Sequence, residues 1–230
     1  DKENAMLFAR VDLPASLSDA DMPALITADW IIGGSDGLSN RIVNRLRQKE
    51  GLSYGVGSHV KLPQFGNRSS WMMSAIVAPQ NLPKAEACAK EEIARAVKDG
   101  FTEQEVKEAV KGILDSRAVN RAQDDYLAQS WLQFMEAGKT FAFSKQFEER
   151  IAAVTVDSVN AALRRMVVPE NVTWILSGDL AKAGLKKLPK KIQTQPKGSA
   201  RFHKSALPFS SVVAQEGFSF RSQFNARSLN

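Results

Sequence analysis

Two period-two runs a short link apart limit what this chain can fold into more than any other feature. From Ser53 to Leu62, alternate residues (Tyr54, Val56, Ser58, Val60, Leu62) share one face, and from Ser69 to Ala78 so do Trp71, Met73, Ala75 and Val77. Alternation at that period marks half-buried strands. The link Pro63–Asn67 carries Pro, Gly and Asn, the residues of a reversing loop, although it is longer than a tight two-residue turn. The pair predicts an antiparallel β-hairpin.

The hairpin sits among helical patterns. Ala5 to Leu13 alternates Leu7, Ala9, Val11 and Leu13 with Met6, Phe8, Arg10 and Asp12, and Pro14 ends that strand. Ser18, Asp19 and Asp21 offer N-caps for a helix over Met22 to Ile32, which Gly33, Gly34 and Gly37 break. A second helix starts near Leu38 on the stripe Leu38, Ile42 and Leu46, with Arg41 and Arg45 off that stripe and Gly51 closing it. After the hairpin, Asn81 is placed to cap a helix from Pro83 to Asp99, stopped by Gly100. Thr102 and Glu105 form a capping box for a helix running to about Ala137, with a bent or exposed middle at the polar stretch Asp115 to Asp125. Ser144 to Val154 and Val156 to Val167, the latter capped by Thr155, precede Pro169 and a last strand through Val172, Trp174 and Leu176.

The resulting order is β-α-α-β-β-α-α-α-α-β. It predicts an α+β fold with a largely antiparallel sheet covered by helices on one face. Residues 1–181 form one domain in this reading, and 182–230 a basic tail containing Ser and Phe. Within that tail, Phe209 to Ala214 and Phe218 to Phe224 offer a weak second hairpin.

Composition removes several function classes. The chain has 230 residues, 43% hydrophobic and 24% charged, which is ordinary globular usage. No apolar run approaches the roughly 18 residues that span a bilayer. A single cysteine, Cys88, excludes an internal disulfide or a cysteine-rich zinc site, and two histidines, His59 and His203, are too few for most histidine metal sites. Net charge is +6, yet Lys182 to Lys204 holds eight basic and no acidic residues, which leaves the rest of the chain near −2. Phenylalanines near those basic residues could serve as stacking platforms, but a neutral body without a recognition motif argues against nucleic acid as the partner. The start at Asp1, without Met or an apolar leader, reads as a processed product or a piece of something longer.

Most chemistry-bearing patterns have a plain structural reading. Gly33 to Asn40 is glycine-rich but lacks the Lys and Ser/Thr of a phosphate-binding loop, so it reads as a helix–helix break. Asp36 and His59 stand in no triad spacing, and His59 reads as a sheet-face or surface residue. Adjacent helical positions point about 100° apart, so the carboxylate pairs Glu91/Glu92, Glu103/Glu105 and Asp124/Asp125 do not converge on one atom and read as solvated faces.

One segment carries more. From Leu38 to Tyr54 an amphipathic helix turns through Gly51 directly into a strand, so Arg47 and Tyr54 can lie close together. A guanidinium fork and a phenol are good donors for a peptide carbonyl or a terminal carboxylate. The plainer alternative is that Arg47 caps the helix end and Tyr54 packs in the sheet.

The run R-L-R-Q-K-E-G-L-S-Y, preceded by I-I-G-G-S-x-G-L-S-N-R, resembles the C-terminal, non-zinc domain of pitrilysin-type zinc metallopeptidases, the inverzincin group that includes mitochondrial processing peptidase subunits. The resemblance covers Asn4 to Leu180, from V-D-L-P through A-I-V-A-P and F-T-E-Q-E-V to W-I-L-S-G-D-L. It implies a processing-peptidase-like fold in which two such domains work in tandem and an H-x-x-E-H helix in the N-terminal one binds zinc. That motif occurs nowhere in this chain, so no metal or catalytic residue is expected here, and zinc belongs to an N-terminal domain.

The resemblance further implies that Arg47 and Tyr54, seven residues apart like the family's Arg–Tyr pair, hold the substrate backbone. The expected role is therefore a non-catalytic, substrate-enclosing domain of a bacterial zinc endopeptidase, inactive alone, with a peptide substrate. A zinc-less partner or scaffold subunit of a processing-peptidase-like complex stays open as the alternative, as does a homodimer. A periplasmic or exported location is favoured over a cytoplasmic one.

Overall fold

A computed structural model describes residues 3–13, 15–34, 40–62 and 69–185. Most of the basic tail, with its weak second hairpin and His203, lies outside the described residues, as do Asp36, Leu38 and the Pro63–Asn67 link.

Four strands, β1 (Ala5–Leu13), β2 (Ser53–Lys61), β3 (Ser69–Val77) and β4 (Thr173–Ser177), form one sheet in the order β2-β3-β1-β4. All three pairings are antiparallel. The period-two patterns explain why each strand forms, because each pleat has one apolar side to bury. Leu7, Ala9, Val11 and Leu13 of β1 lie on the same face as Trp71, Met73, Ala75 and Val77 of β3, and all eight are buried. Across the other face, Gly57, Ser74, Phe8 and Ile175 stand in one cross-strand row, and His59, Met72, Arg10 and Thr173 in the next. His59 is exposed there, as the alternation predicts.

The helices are α1 (Met22–Ile32), a single turn α2 (Arg41–Val43), α3 (Leu82–Asp99), α4 (Glu103–Arg121), α5 (Asp124–Glu136), α6 (Phe141–Ala152) and α7 (Val156–Met166). Nine of the eleven α1 residues are buried, because α1 packs against β2, α4, α6 and α7 at once. A helix apolar almost all round is a core helix. The capping boxes at Thr102 and Thr155 are both present, the second closed by Ser158. Asn81 stands at the N-cap of α3, but its side chain makes no capping bond. Asp21 does not cap α1 either, and Asp19 instead accepts from Ser16 in the preceding turn.

The helical block holds five helices between β3 and β4 rather than four. The helix expected to reach Ala137 stops at Arg121 and restarts at Asp124, so its polar middle is a break. The acidic pair Asp124/Asp125 opens the new helix, where negative charge favours the N-terminal dipole. The solvated reading of the other carboxylate pairs fails at two positions. Glu92 is buried and bridged by Arg95, and Glu105 is half-buried against Arg41.

Two further features fix the sheet to the helices. Asp29 is buried in α1, where its Oδ1 accepts from Ser58 Oγ at 2.5 Å and from Trp71 Nε1 at 2.8 Å. Gly33 lets this junction close, since a Cβ there would lie 2.7 Å from Ser58 Oγ, and Ser58 N donates to Gly33 O at 2.6 Å. Near the last described residues, Leu180 and Ala183 are buried in the core and Leu185 packs against it.

Candidate functional site

The site is a helix-to-strand corner. Asn40 opens it, accepting Val43 N at Oδ1 and donating from Nδ2 to Gly34 O at 2.9 Å. The helix then widens into a π-helical turn, Asn44–Lys49. Glu50 N reaches back five residues to Arg45 O at 3.2 Å, and Leu52 N reaches Leu46 O at 2.8 Å. Ile42 and Leu46 of the predicted stripe are fully buried and anchor the turn from beneath. Single π-turns of this kind are rare and cluster at functional sites. Gly51 then reverses the chain at φ +61°, a left-handed conformation that costs glycine little.

The strand begins with an irregularity. Ser53 opposes Val77 while Gly55 opposes Ile76, so Tyr54 is the extra residue of a β-bulge. Ser53 Oγ shares its proton between Ile76 O at 2.7 Å and Gly55 O at 3.0 Å, which pins the bulge. Beyond it Val56, Ser58 and Val60 resume the helix-covered face.

The Arg47 side chain is exposed on the π-turn and makes no hydrogen bond or ion pair among the described residues. The cap that the plainer reading required of it is therefore not formed by described residues. Gln48 and Lys49 beside it are likewise exposed and without a side-chain partner among the described residues, whereas Arg41 and Arg45 are engaged. Arg41 clamps Glu105 in a fork, Nε to Oε1 and Nη2 to Oε2 both at 2.8 Å, and also donates to Gly100 O at 3.0 Å. Burial raises the Glu105 carboxyl, but the Arg41 fork and the Thr102 donors outweigh it and hold it below the usual range. Arg45 pairs with Glu50 at 2.9 Å and Glu91 at 3.1 Å, and Lys84 of α3 reaches Glu50 at 2.8 Å. Arg41, Glu105, Arg45 and Glu91 line a groove of about 880 Å³ between the π-turn and the end of α3, and Glu50, Lys84 and Arg47 are not among its lining residues.

Sequence reasoning missed the Glu50 cluster and Asp29. The first was partly visible, since a Lys-Glu-Gly run at a helix end places a carboxylate at the corner. Asp29 had a signal too, as a lone acid inside the apolar run from Leu25 to Ile32 next to two glycines. No group of three or more His, Cys, Asp or Glu able to hold a metal ion occurs among the described residues. The donor set here, carboxylates already paired with Arg41, Arg45 and Lys84, does not fit zinc. No helix among the described residues is long and apolar enough to cross a membrane.

Residues 1–113, which include the whole corner, match the family described as the peptidase M16 inactive domain. No curated protein matches the chain. Among solved structures, the fold is shared with a peptidase M16 inactive domain from Pseudomonas fluorescens at 20% identity and a TM-score of 0.66. That likeness covers 76% of this chain and 41% of the other, so the chain spans about two fifths of that relative's length. A protease from Helicobacter pylori shares it at 14% identity and a TM-score of 0.66, over 76% and 41% of the two chains. The periplasmic protease PqqL from Escherichia coli does so at 17% identity and 0.58, over 76% and 19%. Residues 1–113 thus match the model of the peptidase M16 inactive domain, and the α+β fold they open is the fold of such domains.

Proposed function

We propose that this domain is the non-catalytic, substrate-enclosing half of a zinc endopeptidase, and that Arg47 and Tyr54 hold the substrate backbone. The observation that carries the reading is the uncommitted guanidinium of Arg47 beside Arg41 and Arg45, which are both paired. A guanidinium left free next to two engaged arginines suits a ligand that arrives from outside. A guanidinium offers two parallel N–H donors to a peptide carbonyl or carboxylate, and a phenol adds a single one. The sheet face away from the helices, with Phe8, Met72 and Ile175 set among smaller and polar residues, suits the wall of a chamber that receives an extended peptide. Bond cleavage belongs to the zinc-bearing N-terminal domain or a partner subunit, and this domain contributes binding and orientation.

The test is kinetic. With the domain joined to its zinc-bearing half, Arg47→Ala or Tyr54→Phe is expected to lose about 1–3 kcal/mol of transition-state stabilisation. That is about 5- to 150-fold in kcat/KM, with an unchanged melting temperature. Full turnover in Tyr54→Phe, which keeps the ring and removes only the hydroxyl, removes Tyr54 from the site. Full turnover in Arg47→Ala defeats the reading.

A further inference from the structure

The corner that carries Arg47 and Tyr54 is anchored by the buried Ile42 and Leu46 and by the Leu52 N to Leu46 O bond of 2.8 Å, but its hinge is open. The π-turn closes on a long Glu50 N to Arg45 O bond of 3.2 Å, and Gly51 follows with no heavy atom within 4 Å of where a Cβ would stand. Charge adds a second tie at that hinge. Glu50 sits at the hinge with its side chain 20% exposed. Its Oε1 faces Arg45 Nη1 at 2.9 Å, on the same π-turn, and its Oε2 faces Lys84 Nζ at 2.8 Å, in the first turn of α3. One carboxylate thus ties the turn bearing Arg47 both to itself and to a separate helix. Arg45 extends the tie to Glu91, further along α3. The hydrogen bond from Lys84 comes first among the causes that hold the Glu50 carboxyl below its usual range; partial burial opposes it, and the charges of Lys84 and Arg45 add to it.

We infer that Glu50 is a positioning residue: bridged by Arg45 and Lys84, it fixes the helix-to-strand corner so that Arg47 and Tyr54 meet an extended peptide in one geometry. Glu50 acts through Arg47 and does not itself touch the peptide. The inference rests on the substrate-holding reading, and it makes two separable demands. The clamp must stiffen the corner whether or not a peptide is present. Its benefit to binding must also vanish when Arg47 is absent, because a residue acting through another has nothing left to position.

The experiment uses the full chain. Hydrogen exchange at the Leu52 amide, which bonds Leu46 O across the corner, reports corner opening without any ligand. Glu50→Gln and Lys84→Met are expected to speed that exchange about 10-fold while β1 amides keep their wild-type rates, and Glu50→Asp is expected to restore most of the protection. Binding of fluorescein-labelled oxidised insulin B chain is then measured in two backgrounds. Glu50→Gln is expected to weaken it several-fold in the wild type and not further in Arg47→Ala. Unchanged Leu52 exchange with intact peptide binding overturns the clamp and leaves the functional reading standing. Equal weakening in both backgrounds overturns the action through Arg47. A wild-type chain that binds no peptide, while Leu52 exchange still follows Glu50, overturns the functional reading and with it the positioning role, and keeps Glu50 only as a structural tie.

Discussion

The α1–hairpin junction and helix α5 use polar and apolar side chains in opposite ways. At the junction a carboxylate is buried, and Asp29 accepts directed bonds from Ser58 and Trp71, on two different strands. In α5 no residue is buried, and Trp131, Leu132 and Met135 stand 44%, 60% and 58% exposed. There the aromatic rings of α5 and α6 make a ladder, with Trp131 stacked on Phe141 at 5.4 Å and Phe134 edge-on to Phe141 at 5.6 Å. Directed bonds to a buried acceptor permit one geometry, because any slip leaves a desolvated donor or charge unpaired. Exposed ring contacts tolerate sliding at little cost. The junction therefore sets how α1 meets the sheet, while α5 adds surface without determining the fold.

The largest effect is expected where the comparison is most one-sided. Asp29→Ala leaves the Ser58 hydroxyl and the Trp71 indole N–H without their acceptor in the core. The loss should be about 2–4 kcal/mol, since each buried neutral donor left unsatisfied costs about 1–3 kcal/mol and removing the buried carboxylate offsets part of it. For a chain of this size that lowers the melting temperature by roughly 10 °C. Chemical denaturation of wild type and variant measures it, and a loss under about 1 kcal/mol would mean that the junction is no more specified than α5.

A second test sharpens the junction by pH. Burial pushes the Asp29 carboxyl up from 3.8 to about 6, and the donors Ser58, Trp71 and the Val60 amide only partly offset it. A raised folded-state value means that the native state binds this proton more tightly than the unfolded chain does. Its contribution to stability therefore grows as pH falls through about 6 and is lost as pH rises. Between pH 7 and pH 5 the gain is about 1 kcal/mol. Other carboxylates such as Glu105, held below the usual range, run the opposite way, so the quantity to measure is wild type minus Asp29→Asn at both pH values. A difference that stays flat would show that the converging donors keep Asp29 ionised.

Much of this fold was legible because local rules and burial agreed. The bounds predicted for β1 and α1, Ala5–Leu13 and Met22–Ile32, are those observed, since period and punctuation coincide at Pro14 and Gly33. The Thr102 and Thr155 caps were legible for the same reason. What escaped was set by partners distant in sequence or by backbone irregularity. The stop at Arg121 has no Gly or Pro to announce it, and neither the π-turn nor the bulge at Tyr54 leaves a compositional trace. The Arg47–Tyr54 spacing could be read from sequence, whereas the Lys84 arm of the Glu50 clamp comes from a helix 34 residues further along the chain.

The smallest effect is expected on α5, and it is the one that could break the comparison from the other side. Leu132 is 60% exposed, so Leu132→Ser removes little that folding had buried and should change stability by about 0.5 kcal/mol or less. Trp131 makes one defined contact, the stack on Phe141, and an aromatic pair contributes about 0.5–1.5 kcal/mol beyond its area. Trp131→Ala should therefore cost about 1 kcal/mol, roughly 2–4 °C in melting temperature. The two variants together separate the ring contact from mere apolarity, because only Trp131→Ala breaks a stack. If both left the transition unmoved, the ladder would hold nothing in place. If Leu132→Ser alone cost 2 kcal/mol or more, its side chain would have to be buried in solution, and α5 would belong with the junction among the parts that specify the fold.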